Sequence, residues 1–570
     1  MATCVIVTFS LLDRNMRISP IISAAVLACT VLAGQHAYAI NTDLPNMGSS
    51  AATIASPEEQ RDYGFYMLHE LRNQNLVLDD ALLTDYINTL GYRLVAYSGK
   101  PDQPFTFFVV RDTSINAFAI PGGFIGVNAG LITTTANESE LAAVLAHEIA
   151  HITQQHLVRA VEAEQKYAPL MVLALIGAVA ASAHSSPGST SNADMGAIAT
   201  ATGLAQQLQI NFTRADESEA DRLGIQTLAN ANFDPDAMAG FFSRMQQALR
   251  PGFDENDVPA LLMDHPVTLQ RISEAKARAV AAKAEVTRHR AAVAATRAVN
   301  GTISPLLRGP GEYATSSAMA AELARPTDSP EQQRARSQAY YELMRERVRV
   351  LAADAPTQTV AYYANNLRND GRFSTIANRY GYALALTRAG KPSEALPIAT
   401  TLAKQHPRHL VLQLAAGNAE LMSGARAAAL QRYATLEKEH PRDRALALAH
   451  AQALLQTADA ASAKLAQKAL RPLLSNDDED PELQTVFARA CEIAGDRVRA
   501  GEAHAEAAYL NGRAEDALNQ LKDLTRRSDL DYYERARIEA RITQITPIVL
   551  DLRRHNIRPE DQGRFTLQHG

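Results

Sequence analysis

Residues 147–151 read His-Glu-Ile-Ala-His, a spacing of side chains that could hold a metal ion. They lie inside an apolar run, residues 141–152, that predicts a helix. On a helix, His147 and His151 are about 40° apart, so both imidazoles can point at one ion. Glu148 lies about 100° round from His147 and could act as a general base on a water. The alternative is an amphipathic helix with merely hydrogen-bonded histidines, but adjacent imidazoles in apolar surroundings favour a metal site.

A third ligand is expected, because a catalytic zinc site uses three protein ligands and keeps one position for water. The acidic segment 214–224 offers candidates. Glu217 and Asp221 are four residues apart and share a helix face, whereas Glu219 lies about 200° from Glu217. We therefore predict that Glu217 binds the metal and that Asp221 accepts the N–H of a ligating imidazole. Asp216 is interpreted as part of a solvated acidic face.

Two other histidines have weaker claims on the residues alone. His156 lies about 140° round from the second histidine of the motif, off the ligand face, which favours a polar or surface position. The longer HExxHxxGxxH pattern is excluded, because Gln154 and Leu157 occupy its glycine and third-histidine positions. His265 is followed by Pro266, which suits the first turn of a helix, and is interpreted as a histidine at a helix start.

The segments before the motif predict the elements that position it. Apolar residues at helical spacing from residue 57 predict one helix, and residues 81–87 predict the start of a second. Three short runs rich in aromatic and β-branched residues then predict the strands of a small sheet, at 105–110, 115–120 and 124–127. Asn137, with Glu140 three residues later, predicts the start of the metal helix. The free edge of such a sheet could bind an extended peptide, or the sheet could be only a scaffold.

Composition limits the class of protein. The 570 residues are enough for several domains, and 46% of them are hydrophobic. The formal net charge of -6 shows no basic excess, so a nucleic-acid partner has no electrostatic support. Of the three cysteines, only Cys491 lies beyond the predicted leader. It is expected to be a small buried side chain without a disulfide.

The N-terminus predicts export. An apolar stretch at 18–34 precedes small residues that end at Ala39, which is typical of a secretory signal peptide cleaved after Ala39. Residues 1–15 are interpreted as an upstream extension and 40–56 as a flexible lead-in. A membrane anchor or a lipid-modified Cys29 are the alternatives, but the apolar run is short for a membrane span.

A second apolar stretch follows the metal helix. Residues 168–183 carry no charge, and weakly polar residues continue to 205. The 16 uncharged residues are short of the roughly 20 that span a bilayer. The segment is either a buried hairpin or cover over the site, or an apolar lid that contacts a membrane or an unfolded client protein. Inward packing is the more common arrangement.

The C-terminal half has a period of 34 residues, seen for example in the pairs Gly390 and Gly424, and Leu402 and Leu436. This is the spacing of tetratricopeptide repeats, so four to six stacked helix pairs are expected over 330–550. Their concave surface could bind a partner, or the stack could be a rigid spacer. The predicted domains are completed by a domain at 57–275 that carries the metal site, a helical and Gly/Pro-rich connector at 276–329 and a tail at 551–570.

These residues resemble a known family. The segments 147–151 and 217–221, the Asn-Ala-Phe-Ala and Pro-Gly-Gly groups within 116–123, and residues 265–272 are together similar to the HtpX/Ste24-type zinc metallopeptidases. With a leader before them and helical repeats behind, the arrangement resembles BepA-like periplasmic proteases and chaperones. The resemblance covers 57–275 by motifs and the rest by architecture only. It implies an α+β, mostly α fold: a gluzincin-type domain with a small sheet, followed by a helical solenoid.

The resemblance also implies a function. It implies a periplasmic zinc endopeptidase with one Zn²⁺ per chain, bound by His147, His151 and Glu217. It implies that His265 can take the open position on the metal, as a fourth ligand or a transition-state contact, and restrain activity. Misassembled outer-membrane proteins are the expected substrates, and the outer-membrane assembly machinery is the expected partner of the repeats. Residues 168–205 could add peripheral membrane contact.

Two competing functions come from other classes. One is a chaperone or assembly scaffold whose metal site is structural or shut, with the repeats binding its partners. A closed site with four protein ligands would favour it. The other is an integral-membrane prenyl-protein protease, which requires several spans that the sequence does not contain.

Overall fold

A computed structural model describes residues 56–162, 214–248, 261, 265–300, 318–323, 329–474 and 480–554. The predicted leader, the apolar segment 168–205 and most of the Gly/Pro-rich connector lie outside these residues. Within the described part, no helix combines the length and apolar character needed to cross a membrane.

The first half of the described chain contains the elements around the HExxH segment. In chain order they are α1 (Pro57–Asn73), α2 (Ala81–Val95), β1 (Thr106–Val110), β2 (Ala117–Ile120), β3 (Phe124–Asn128), α3 (Ala129–Thr134), α4 (Glu138–Thr153), α5 (156–162), α6 (214–230), α7 (Asp236–Ala248) and α8 (Leu269–Asn300).

The three strands form one small sheet with β3 in the centre. β1 runs parallel to β3 and β2 antiparallel to it, and Ile125 of β3 lies opposite Phe107 on one side and Ala119 on the other. All of β3 is buried, and β2 packs against α4. The second strand begins later than predicted, because the carbonyl of Ile115 accepts a hydrogen bond from the amide of Leu261 at 3.1 Å and is not part of the ladder.

Helix α4, which carries the HExxH segment, lies in the core. Asn137 caps it as predicted, because its side chain accepts a hydrogen bond from the amide of Glu140 at 3.1 Å. The Glu140 carboxylate accepts the amide of Ala136 instead of that of Asn137, so the capping box is only half formed. At the first residue of the helix, the Tyr86 hydroxyl of α2 donates to the buried carboxylate of Glu138 at 3.0 Å. The start of the helix is therefore held by the Asn137 cap and by the contact of Tyr86 with Glu138.

The second half is helical, with each helix packed on the next. Its elements are α9 (Ala318–Leu323), α10 (Pro330–Ala352), α11 (Pro356–Asn369), α12 (Ile376–Arg388), α13 (Pro392–Gln405), α14 (Leu410–Met422), α15 (Arg426–Glu439), α16 (Arg444–Leu455), α17 (Ala460–Leu470), α18 (Pro481–Ala494), α19 (Arg497–Leu510), α20 (Ala514–Thr525) and α21 (Tyr532–Arg554), with short 3-10 turns at Gly371–Phe373 and Arg471–Leu473.

The sequence period corresponds to turns between these helices. Gly390 and Gly424, one period apart, follow α12 and α14 and have φ values of 74° and 89°, in the left-handed region that glycine adopts at little cost. The fold is therefore α+β and mostly α, with a protease-like domain followed by helical repeats, as expected from the sequence. Cys491 is buried in α18, also as expected.

The helical half is packed directly on the first half. Helix α10 contacts α2, α3 and α4. Its Tyr341 hydroxyl donates to the carbonyl of Thr135 at 2.7 Å, and its Arg347 donates through Nε to the Asp80 carboxylate, also at 2.7 Å. Helix α8 runs through residue 275 without a break, so the predicted end of the peptidase domain falls inside a helix.

Candidate metal centre

Two helices and one loop bring the predicted site residues together. α4 supplies His147 and His151, α6 supplies Glu217, and His265 lies in the loop before α8. The helices approach closely because α6 has a glycine at position 224, where an added Cβ would lie 3.3 Å from the His147 backbone nitrogen. Small residues at such a crossing allow side chains on facing helices to converge.

Four ligand atoms of these residues lie within 4.8 Å of one another. The Nε2 atoms of His147 and His151 are 3.0 Å apart, and each lies 3.4 Å from an oxygen of Glu217. His265 completes the group through Nδ1, which is 3.4 Å from His147 Nε2 and 2.7 Å from Glu217 Oε1. A tetrahedral ion with bonds of about 2.0–2.1 Å has ligand atoms roughly 3.3 Å apart. The three nitrogens and one carboxylate therefore fit such an ion in type and spacing.

The electrostatics of the cluster favour a cation. Burial lowers the pKa of His147, but the carboxylates of Glu217 and Asp221 outweigh burial and raise it to about 10. Burial lowers the pKa of His151 to about 3. Burial raises the pKa of Glu217, but His147 and the other two histidines hold it well below its usual range. The carboxylates thus stabilise a positive charge at the centre of the cluster, which is the charge that a metal ion carries.

Asp221 lies where the sequence predicts a partner for a ligating imidazole. Its Oδ1 is 3.0 Å from His147 Nδ1, the nitrogen that faces away from the cluster. Arg271 donates to both oxygens of Asp221, at 2.9 and 2.8 Å, and its Nη1 lies 2.8 Å from Glu217 Oε2. Burial raises the pKa of Asp221, but His147 and Arg271 lower it overall. No local sequence pattern predicts this role for Arg271, because it contacts a residue 50 positions away.

Glu148 lies beside the cluster, with 1% of its surface exposed. Its Oε1 is 3.7 Å from His265 Nε2, so the carboxylate faces the loop histidine across the ligand group. A small apolar cavity adjoins Glu148 and His265 and is lined by Met238, Phe241, Phe242, Leu261 and Val267. Glu148 is therefore a buried acidic group beside both the ligand cluster and an apolar cavity.

His265 approaches the ligands from a loop rather than from a helix start. α8 begins at Leu269, so Pro266 precedes the helix and the expectation of a first-turn proline is wrong. The Thr268 hydroxyl instead accepts the amide of Arg271 at 3.2 Å and caps the helix. The His265 amide donates to the carbonyl of Leu261 at 2.8 Å, and the residue's Nδ1 lies at the fourth corner of the group.

The predictions that His156 and Asp216 lie at the surface are wrong. His156 is buried, and its Nδ1 lies 2.8 Å from Nδ1 of His151. Asp216 is also buried, with Oδ1 accepting a hydrogen bond from Arg159 Nη2 at 2.7 Å. For His156 the cause is a turn at Gln155, which has a φ of 56° and interrupts the helix, so the ring does not lie where a continuous helix would place it. No local pattern predicts this turn, because glutamine is not typical of the left-handed region.

A cavity of about 130 Å³ lies between the end of β2 and the ligand helix. Its walls include Ala119 and Ile120 of β2, Gly122, and His151 and Gln155. Within the described residues, β2 pairs only with β3, so its other edge faces the side on which the cavity lies. One ligand residue, His151, and the end of β2 thus border the same cavity.

Comparison with known proteins identifies similar chains. The model of peptidase family M48 matches residues 81–279, the region that holds all the site residues. The beta-barrel assembly-enhancing protease of Yersinia pestis is 30% identical over 531 residues, which cover 93% of this chain and 97% of that protein. The Escherichia coli K12 protein of the same name is 37% identical over 272 residues, 48% of this chain and 53% of that protein. The mitochondrial metalloendopeptidase OMA1 of Schizosaccharomyces pombe is 32% identical over 197 residues, 35% of this chain and 51% of that protein. The matched region spans about half of the last two relatives and nearly all of the first.

Proposed function

Because the chain belongs to peptidase family M48 and resembles a beta-barrel assembly-enhancing protease over nearly its whole length, we propose that it is a periplasmic zinc endopeptidase of outer-membrane protein quality control. Its substrates are unfolded or misassembled outer-membrane proteins, and its helical repeats bind the assembly machinery. The observation that carries the proposal is the convergence of three histidines and one glutamate on one point, with Glu148 beside them.

His147, His151 and Glu217 hold one Zn²⁺ per chain in this proposal. Zn²⁺, when bound, supplies a Lewis acid that acidifies water and polarises the scissile carbonyl. Asp221, whose Oδ1 lies 3.0 Å from His147 Nδ1, holds the ring of His147 in this orientation. The nitrogen and oxygen donors suit zinc among the common cations, whereas Mg²⁺ and Ca²⁺ prefer oxygen ligands alone.

Glu148 moves the proton in this scheme. Its carboxylate accepts a proton from the attacking water while the water oxygen bonds to the scissile carbon. The same proton then passes to the amide nitrogen as the carbon–nitrogen bond breaks, and the amine leaves. The apolar wall formed by residues such as Phe241 and Phe242 keeps bulk water from Glu148 and strengthens its interaction with the reacting groups.

The strand β2 offers a binding mode for the substrate. A peptide in extended form could pair with its available edge and place one of its carbonyls at the ligand group, beside the cavity at Ala119 and His151. Main-chain pairing selects for an unfolded segment and not for a particular sequence. This matches a quality-control protease, whose clients differ in sequence but share exposed chain.

His265 restrains the enzyme in the conformation described here. Its Nδ1 fills the corner of the cluster that a water or a substrate carbonyl would need, so we infer a latent protease that opens when the loop moves. The same closed group supports a second candidate function, a chaperone or scaffold that acts through the repeats without cleavage. Peripheral membrane contact through residues 168–205 remains part of the proposal, on a segment outside the described residues.

Two variants test these functions. Glu148→Gln should bind zinc like the natural chain but lose casein cleavage, because the amide cannot accept the proton. His265→Ala should cleave casein faster than the natural chain, because the fourth position is open. Zinc content, measured for each variant, checks that the cluster is intact. Undiminished cleavage by Glu148→Gln would refute the catalytic assignment, and absence of cleavage in both the natural chain and His265→Ala would support the scaffold.

A further inference from the structure

His156 is a buried histidine that the mechanism above does not use. Only 4% of its surface is exposed, and its ring meets that of His151 at 84° with the centroids 4.7 Å apart. The shortest contact joins the two Nδ1 atoms at 2.8 Å. We propose that His156 is a positioning residue for the metal ligand His151. This inference rests on the zinc-binding part of the proposed function and not on the identity of the substrate.

The backbone places His156 for this contact. α4 ends at Thr153, and α5 begins at residue 156 after Gln155 has taken a left-handed φ of 56°. In an uninterrupted helix the ring of His156 would point about 140° away from that of His151. The turn costs conformational energy for a residue other than glycine. It brings His156 back over the outer nitrogen of His151.

The contact specifies the hydrogens on both rings. His151 offers Nε2 to the ligand group, so its hydrogen is on Nδ1. That N–H is the donor, and His156 must accept it through an Nδ1 without hydrogen. The hydrogen of His156 is therefore on Nε2, which lies 3.2 Å from Glu219 Oε2 and can donate to it. Each ring is neutral, and each has one defined tautomer.

Arg159 lies at the far end of this series of hydrogen bonds, which runs from His151 through His156 to Glu219. Arg159 Nη2 donates to Asp216 Oδ1 at 2.7 Å and to Glu219 Oε2 at 3.3 Å. The guanidinium supplies the positive charge that these two carboxylates need, so the group of His156, Asp216 and Glu219 is occupied as an ion-pair cluster and is not a second metal site. The charge also keeps Glu219 in place as an acceptor for His156.

Both ligand histidines of α4 are thus oriented by an arginine and a carboxylate. On one side, Arg271 holds Asp221, which lies directly against His147. On the other side, the hydrogen bonds from Arg159 pass through Glu219 and then through the His156 imidazole to His151. An outer contact of this kind fixes ring orientation and makes the ligand nitrogen more basic. His156 therefore acts on zinc through His151 and does not touch the ion or the substrate.

The test compares His156→Leu, which fills the site without an acceptor, with His156→Gln, whose side-chain oxygen can accept the His151 N–H. The control is His409→Leu, which removes a partly buried histidine that packs on Tyr340 in the repeats. The full-length variants are titrated with zinc against a chelator of known affinity, and the visible spectrum of the Co²⁺-loaded protein is recorded. Cobalt absorption reports the orientation of the ligands and does not depend on catalysis.

We expect His156→Leu to bind zinc about 10–100-fold more weakly and to shift the cobalt bands. His156→Gln should recover most of the affinity, and His409→Leu should match the natural chain in both measurements. If His156→Leu does not fold, Glu219→Gln provides a milder break in the same chain and should weaken binding in the same direction. Natural affinity and natural cobalt bands in His156→Leu, or in Glu219→Gln where it takes its place, would overturn the inference.

Two further outcomes separate this inference from the proposed function. Natural zinc binding with no effect of any His156 or Glu219 variant would overturn the positioning role alone. No zinc binding by the natural chain would overturn the proposed function together with it. An imidazole ¹⁵N spectrum of the zinc-loaded protein gives an independent check: it should show hydrogen on Nδ1 of His151 and on Nε2 of His156, and the opposite tautomers would refute the chain of donors.

Discussion

Replacing Asp221 by Asn removes one negative charge beside the metal cluster and keeps the shape of the side chain. Asp221 is 1% exposed, accepts two hydrogen bonds from Arg271 and lies 3.0 Å from His147 Nδ1. Asparagine has one acceptor oxygen and one NH₂ donor in place of two acceptor oxygens. The asparagine oxygen can therefore accept from either the His147 imidazole or the Arg271 guanidinium, and the NH₂ group then faces the other of these two donors.

The structure sets the expected size of two separate losses. Breaking a buried ion pair by removing one partner costs about 3–5 kcal/mol. Arg271 keeps Glu217 Oε2 at 2.8 Å as a second partner, so we expect the lower end, about 3 kcal/mol, even without metal. Losing the outer contact of a ligating histidine weakens metal binding by about 10–100-fold. For zinc well above its dissociation constant, a loss of about 30-fold removes about 2 kcal/mol of metal-linked stability.

Urea unfolding in excess zinc and in EDTA separates the two losses. Asp221→Asn should be less stable than the natural chain by about 3 kcal/mol in EDTA and by about 5 kcal/mol in zinc. Asp480→Asn is the matched control, because Asp480 is 5% exposed and accepts Arg444 Nε at 2.6 Å, away from the cluster. It should lose the same stability in both conditions. An unchanged zinc affinity in Asp221→Asn, or an equal loss with and without zinc, would refute this reasoning.

The contact between the two halves of the chain supports two other predictions. Burial and the nearby carboxylate of Asp80 raise the pKa of Glu482 to about 7, so this acid costs stability as pH rises from about 4.5, where the unfolded chain ionises, to 7. In urea unfolding at pH 8, the free energy of unfolding of Glu482→Gln should exceed that of the natural chain by about 1–3 kcal/mol, whereas at pH 4 the two should be equal. The same difference at pH 8 and at pH 4 would contradict the pKa argument. Gly512→Ala should lower the melting temperature more than Gly495→Ala does. Both glycines have φ near 80°, but of the two only Gly512 would place a Cβ 2.4 Å from a neighbouring carbonyl, that of His69. The left-handed backbone costs each variant about 1–2 kcal/mol, and the clash costs Gly512→Ala about 1–3 kcal/mol more. Equal melting temperatures for the two variants would show that the contact between Gly512 and His69 does not hold α1 against the repeats.

The sequence predicted the part of the site that depends on local spacing. Residues four apart share a helix face whatever surrounds the helix, so the pairing of His147 with His151 and of Glu217 with Asp221 could be read directly. The helix start at Asn137 was predictable for the same reason, since capping involves residues three apart. The 34-residue period likewise indicated repeated helices, because each unit uses the same turn residues at the same offsets.

Only the tertiary structure decided which distant groups meet at the ligands. His265 is 118 positions from His147, and its place at the fourth corner depends on a loop and on where α8 begins. His156 illustrates the opposite case, since it is close in sequence to His151 but its angle on a continuous helix predicts a surface position. One left-handed residue, Gln155, redirects its ring, and such a backbone choice is fixed by the packing around it and not by a local pattern. Spacing along a helix is local geometry, whereas the contacts that orient and close the site arise only when separate elements pack together.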